Sequence, residues 1–191
     1  LDRITQRIVS SPAIQHRELF RYDEVRLIHD DDTLNAFCTP GGFIYVYTGL
    51  IKYLDSEDHF AGVMGHEIAH AELRHSSLRL QREYGAEQLF RFILLTSPMS
   101  LGDATALAIL KDLTGLRYGR DQEADSDAMS VRYLADAGYA YVEAAGYEDG
   151  KFYGMAPEEF KNYLAEVGLQ PLSTHQGTVT LDNADQMIAD V

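Results

Sequence analysis

A chain of 191 residues with 46% hydrophobic and 24% charged residues has the make-up of a folded globular domain, which excludes an intrinsically disordered chain. Its 30 acidic against 16 basic residues give a formal charge of -14, a surface that repels phosphates, so neither nucleic acid nor an anionic membrane is expected as a partner. Cys38 is the only cysteine, which rules out an internal disulfide and a cysteine-rich zinc finger; it reads as a buried structural thiol.

The chain opens Leu1-Asp2-Arg3 without an apolar run, so no signal peptide is visible. Leu1 to Ser11 suits a helix that ends near Pro12. Tyr22 to His29 alternates, with Val25 and Leu27 on one side, and predicts a strand. Asp30-Asp31-Asp32 reads as a turn, and Thr33 to Phe37 as a second short strand. Pro40-Gly41-Gly42 is a hairpin-type break before Phe43-Ile44-Tyr45-Val46-Tyr47, the best strand pattern in the chain. From Thr48 the pattern turns helical. Ser56 predicts an N-cap for a long helix through about Arg74, with Phe60, Val63, Met64 and Ala71 at three- and four-residue spacing. Further helices are predicted over Leu78 to Leu95, Ala104 to Leu116, Asp121 to Ala137, Tyr141 to Tyr147 and Pro157 to Glu166. The tail from Gly168 reads as irregular until Asp182 to Asp190. Early strands followed by helices predict an α+β class with a small sheet, in a single domain over residues 1–191. The most apolar stretches, Phe92 to Leu95 and Ala104 to Leu110, are separated by polar residues and fall short of the ~20 that a membrane helix needs, so a soluble chain with no transmembrane segment is expected.

His66-Glu67-Ile68-Ala69-His70 spells HExxH inside the long predicted helix. Residues four apart project from one face, so two imidazoles can meet one ion. Glu67 lies about 100° further round, where it can reach a water on the metal rather than the metal itself. Two helix histidines at this spacing can also merely pack together, so the metal reading needs a third ligand. A catalytic zinc takes three protein ligands and keeps one position open. The pattern HExxHxxGxxH would require glycine at 73 and histidine at 76, where the chain has Leu73 and Ser76. A glutamate from a later helix is the other source, and the segment Asp121 to Asp127 supplies Glu123. Glu123 and Asp127 are four apart and can both face the histidine helix, with Asp127 accepting the second N–H of a ligand imidazole. Alone, this segment would pass for a solvated acidic helix start; beside HExxH it reads as a ligand segment. His75, five residues past His70, falls off the ligand face and reads as a surface or capping residue. His16, His29 and His59 have no partner pattern and read as structural.

Four segments together resemble the gluzincin metallopeptidases of the HtpX and BepA type, the CaaX prenyl protease/HtpX-type peptidase family 48. They are Asn35-Ala36-Phe37 with Pro40-Gly41-Gly42, the run Val46-Tyr47-Thr48-Gly49-Leu50, His66 to His70, and Glu123-Ala124-Asp125. The likeness is nearest to the soluble bacterial BepA-like members, since HtpX and the prenyl protease carry membrane helices. The resemblance implies a mostly helical zincin-type metallopeptidase domain with a small early β-sheet and an HExxH active-site helix. It implies one Zn2+ per chain on His66, His70 and Glu123, with Glu67 as the catalytic base for hydrolysis of a peptide bond. Asn35 to Tyr47 would supply an edge strand along which an extended peptide lies. His175 is similar to the histidine of the family's Ser-Thr-His-Pro segment, and would stabilise the oxyanion or cap the open zinc position in a latent form. The chain departs from that segment by continuing Gln176-Gly177 where the family has proline. The implied function is a zinc endopeptidase acting on polypeptides such as misfolded envelope proteins, in the periplasm or cell envelope, as a processed lipoprotein in some members. The competing expectation is a latent or non-cleaving, zinc-stabilised, chaperone-like module, which would call for a fourth closed ligand such as His175.

Overall fold

Alternating side chains in the early part of the chain build a three-stranded sheet. In the computed structural model, which describes residues 1–22, 24–96, 118–144, 147–148 and 150–174, α1 (Asp2–Val9) precedes β1 (Val25–Ile28), β2 (Ala36–Cys38) and β3 (Ile44–Tyr47). The strand order is β1-β3-β2, with β1 parallel and β2 antiparallel to β3. Ala36, Cys38, Ile44 and Val46 turn to one face and pack into the main core; Phe37, Phe43 and Tyr45 turn to the other. Phe37 and Tyr45 are cross-strand partners whose rings stack at 5.0 Å. At the β2–β3 turn Gly42 has φ +82°, and a Cβ there would lie 2.6 Å from Phe20 Cβ, so only glycine fits.

The helices follow: α2 (Thr48–Tyr53), α3 (Glu57–Glu72), α4 (His75–Thr96) and α5 (Arg120–Asp136). Ser56 caps α3, its Oγ accepting the His59 N–H at 3.1 Å, as the sequence predicts. Phe60, Ala61, Met64, Ile68 and Ala69 face the sheet, α1 and α5 in one core. Met64, Ile68, Ile44 and Val46 are wholly buried, each contributing about 1.5–3 kcal/mol relative to exposure. On the far side of the sheet Leu80 of α4 covers the aromatic face. The predicted helix Leu78 to Leu95 is longer, and breaks at Gly85 (φ 82°, ψ 166°). The predicted helices Ala104 to Leu116 and Asp182 to Asp190 lie outside the described residues.

Two expectations are overturned. Tyr141 to Tyr147 is not a helix: β4 (Tyr141–Ala144) is a strand, followed by the short β5 (Tyr147–Glu148), which pairs with β6 (Lys151–Phe152). The start of the tail is not irregular over the described residues 168–174, because β7 (Gln170–Thr174) follows α6 (Pro157–Val167) and pairs in parallel with β4. Burial explains the first. Val142 and Ala144 turn inward onto Phe160, Leu164 and Leu169, while Tyr141 and Glu143 turn outward, a two-residue period that only a partner strand makes rewarding. The class is α+β with small sheets, and no helix among the described residues is long and apolar enough to cross a membrane.

Glu72, in the last turn of α3, ties this helix to the segment before β1. One carboxylate oxygen accepts Tyr22 O–H at 2.7 Å and His16 N–H at 3.1 Å; the other accepts Gln15 N–H at 3.1 Å and lies 3.0 Å from His16 Nδ1. Glu72 is 8% exposed and Tyr22 is 1% exposed. Replacing Glu72 by glutamine turns an N–H2 against a buried donor and is expected to cost about 2 kcal/mol. Thermal unfolding in the presence of chelator should show a Tm lower by about 4–8 °C; an unchanged Tm would mean that the network contributes nothing.

Candidate metal centre

Helices α3 and α5 meet at small residues. A Cβ on Gly65 would stand 3.3 Å from Ser130 Cβ and 3.5 Å from Leu134 Cγ, so its absence lets the two axes approach just where His66 follows. Across this contact Glu123, in the first turn of α5, reaches the imidazoles of α3. The N-terminal end of a helix dipole favours its negative charge. Glu123 Oε2 lies 3.3 Å from His66 Nε2 and 3.6 Å from His70 Nε2, and the two nitrogens are 2.9 Å apart. Donors on a tetrahedral ion with bonds of about 2.0–2.1 Å stand about 3.3 Å from one another. The triangle thus has the size that a single Zn2+ would impose, and two imidazoles with one carboxylate are a donor set that suits it. His66, His70 and Glu123 form a potential metal-holding group among the described residues.

Partners behind the donors hold the rings. His66 Nδ1 lies 2.7 Å from Asp127 Oδ1, so the carboxylate takes the N–H opposite the donor nitrogen. His70 is 1% exposed, stacked at 4.0 Å on the Tyr118 ring, and its Nδ1 lies 2.9 Å from His75 Nδ1. His75 is therefore not the surface or capping residue that the five-residue spacing predicts. It is 5% exposed, because α3 stops at Glu72 and the chain reverses before it. Tyr118 also went unnoticed in the sequence, where it precedes a helix start without any motif. Its hydroxyl meets Ser76 Oγ at 2.7 Å, and Ser76 donates to Cys38 O at 2.8 Å.

Glu67 is 8% exposed, and the Cys38 backbone amide favours its charged form. Burial pushes it up to about 7, assisted by Glu123 and opposed by His66. Burial works against a charged His66, yet Asp127 and Glu123 outweigh it and hold this imidazole up at about 10. Burial pushes His70 down. Hydrogen bonds with His66 and His70 hold Glu123 well below the usual carboxylate range.

A cleft of about 420 Å³ opens beside these groups, with Leu34, Asn35 and Ala36 on one wall, His66 and Glu67 beneath, and Val142, Glu143 and Tyr153 opposite. Asn35 bonds Tyr47 of β3 and Thr39 bonds Phe43 just before it, so the alternate residues Ala36 and Cys38 turn their backbone groups away from β3. The Cys38 carbonyl is taken within the chain by Ser76. Ala36 faces the cleft. Past Gly62 and Val142 a larger concavity, of about 1020 Å³ as bounded by described residues, continues toward Tyr141 and Leu172. His175 lies outside the described residues; His16 bonds Glu72 and His59 stands 3.8 Å from Glu143, both away from the three donors.

Comparison with known proteins gives a family match. The family model described as Peptidase family M48 matches residues 1–175. The mitochondrial metalloendopeptidase OMA1 of Arabidopsis thaliana is 32% identical over 117 residues, which cover 59% of this chain and 22% of that protein. The beta-barrel assembly-enhancing protease of Escherichia coli K12 is 28% identical over 118 residues, covering 58% and 24%, and the OMA1 of Bos taurus is 30% identical over 122 residues, covering 58% and 23%. The chain thus spans about a quarter of the length of these relatives.

The contact between His66 Nε2 and His70 Nε2 needs one proton, and the pKa directions give it to His66. An ion must displace that proton. Zn2+ binding at about pH 8 is therefore expected to release at least one proton, and to tighten as pH rises toward about 10. Calorimetry in buffers of different protonation enthalpy measures the release; a value near zero would take the proton off His66.

Proposed function

The chain belongs to peptidase family M48, and from that premise we propose that it is a zinc-dependent endopeptidase that hydrolyses peptide bonds of polypeptides. The observation that carries the reading is the triangle of donor atoms from His66, His70 and Glu123, with a buried carboxylate, Glu67, one residue from the first donor. The relatives' names, metalloendopeptidase and beta-barrel assembly-enhancing protease, support it.

Zn2+ on these donors would lower the pKa of a bound water toward ~7 and polarise a peptide carbonyl. The protein's own groups do the rest. Glu67, with a pKa pushed up to about 7, takes the proton of the attacking water and returns it to the leaving amine. Asp127 holds the His66 ring by its Nδ1–H. Ala36 offers its N–H and C=O to an extended substrate lying antiparallel or parallel along the edge of β2, and the concavity beyond Gly62 has room for residues on either side of the scissile bond. His175, from the sequence resemblance, would act on the oxyanion or cap the metal. We take residues 1–191 as one metallopeptidase domain, supported by α5, which contributes Tyr133 to the main core and Val131 to the cluster beneath β4 and α6. The kinship to a protease named for β-barrel assembly supports a role in envelope protein quality control, with misfolded envelope proteins as substrates in the periplasm or cell envelope.

Glu67→Gln is expected to cut casein cleavage by roughly 10²- to 10⁴-fold while one zinc per chain stays bound, and a chelator should stop the parent. Full activity in this variant would remove Glu67 as the base. A zinc-loaded parent that binds casein and leaves it intact would favour the non-cleaving module instead.

A further inference from the structure

We propose that His75 is a positioning residue of the metal centre: it accepts the Nδ1–H of His70 and thereby fixes the tautomer and aim of that imidazole. The inference rests on the reading of His70 as a metal ligand. Its origin is a backbone turn. Helix α3 ends at Glu72, Leu73 closes it, and Arg74 takes a left-handed φ of 59° before α4 begins at His75. A residue with a Cβ pays roughly 1–2 kcal/mol for that conformation, and its effect is to swing His75 back beneath the helix it has just left. In an uninterrupted helix a residue five positions on would point elsewhere.

The resulting contact is specific. His75 is 5% exposed, its Nδ1 lies 2.9 Å from His70 Nδ1, and the two rings cross at 69°. Two ring nitrogens at this distance hold a single proton between them. When His70 directs the Nε2 lone pair at an ion, its proton must sit on Nδ1. His75 Nδ1 is then the acceptor, and the proton of His75 sits on Nε2. Ser126 Oγ, wholly buried, lies 3.3 Å from the same His75 nitrogen. Ser126 is on α5, one turn past Glu123, so His75 also links the helix of the two histidines to the helix of the carboxylate. The two donor imidazoles are thus oriented differently. Asp127, a carboxylate, holds His66; an imidazole holds His70 and orients it without adding a negative charge beside the ion.

The test compares zinc affinity, by competition with a chelator, in the parent, His75→Phe and His75→Asn, with Asp127→Ala as the reference for loss of an orienting partner. Phenylalanine keeps a buried ring and removes the acceptor; asparagine places Oδ1 where Nδ1 stood. Binding is expected to weaken roughly 10- to 100-fold in His75→Phe and to recover most of the way in His75→Asn, and the visible spectrum of bound Co2+ should shift in the first and return in the second. Phenylalanine binding zinc as tightly as the parent, or asparagine binding as weakly as phenylalanine, would overturn the proposal. If either variant fails to fold, nitrogen-15 shifts of the zinc-loaded parent decide: His75 protonated on Nε2 supports it, and on Nδ1 refutes it. A parent that binds no zinc would instead bring down the metal-site reading beneath it.

Discussion

Two helices must meet closely enough for a carboxylate on one to touch two imidazoles on the other, and the arrangement of the site depends on that contact. Gly65 and Ser130 make it possible by leaving almost nothing between the helix axes. Close approach has an electrostatic cost as well, since it brings the part-exposed Glu123 and Asp127 together with the buried Glu67. A divalent cation there offsets their repulsion, and without one the imidazole of His66 carries the compensating charge.

Polar groups behind the donors are arranged in two shells of different character. On the solvent side Asp127 lies against His66, in a region that is part exposed. On the inner side His70, His75, Ser76 and Ser126, all buried, and the half-buried Tyr118 are joined by hydrogen-bonding contacts and by the stacking of Tyr118 on His70, ending on the Cys38 carbonyl of β2. The backbone amide of the same residue, Cys38, favours the charged form of Glu67. A shift of β2 would therefore alter both the wall of the cleft and the surroundings of the proposed base. Buried polar chains of this kind hold a site well only when each member is satisfied.

Much of this was legible in the amino-acid order. The strands around Val25 and Ile44, the Ser56 cap, the long helix and the later acidic helix all follow from local period and capping, and HExxH on that helix marks His66, Glu67 and His70 for one neighbourhood. His75 was not legible, because its position depends on a left-handed Arg74 that no glycine announces. Tyr118 was not legible because stacking on His70 is a contact between distant segments. The strand β4 was not legible for a related reason. Tyr141-Val142-Glu143-Ala144 alternates, but four residues carry too little pattern to be told from a helix turn until β7 arrives beside them.

The sequence by itself determined what local forces control: which segments coil or extend, which faces are apolar, and which side chains share a helix face, since these depend on rotations within a few residues. The tertiary structure alone decided which faces meet. It brought Glu123 onto the two imidazoles, folded His75 under His70, and joined β4 to β7, because each of these rests on burial and hydrogen bonding between segments far apart in the chain, whose energies no local window contains.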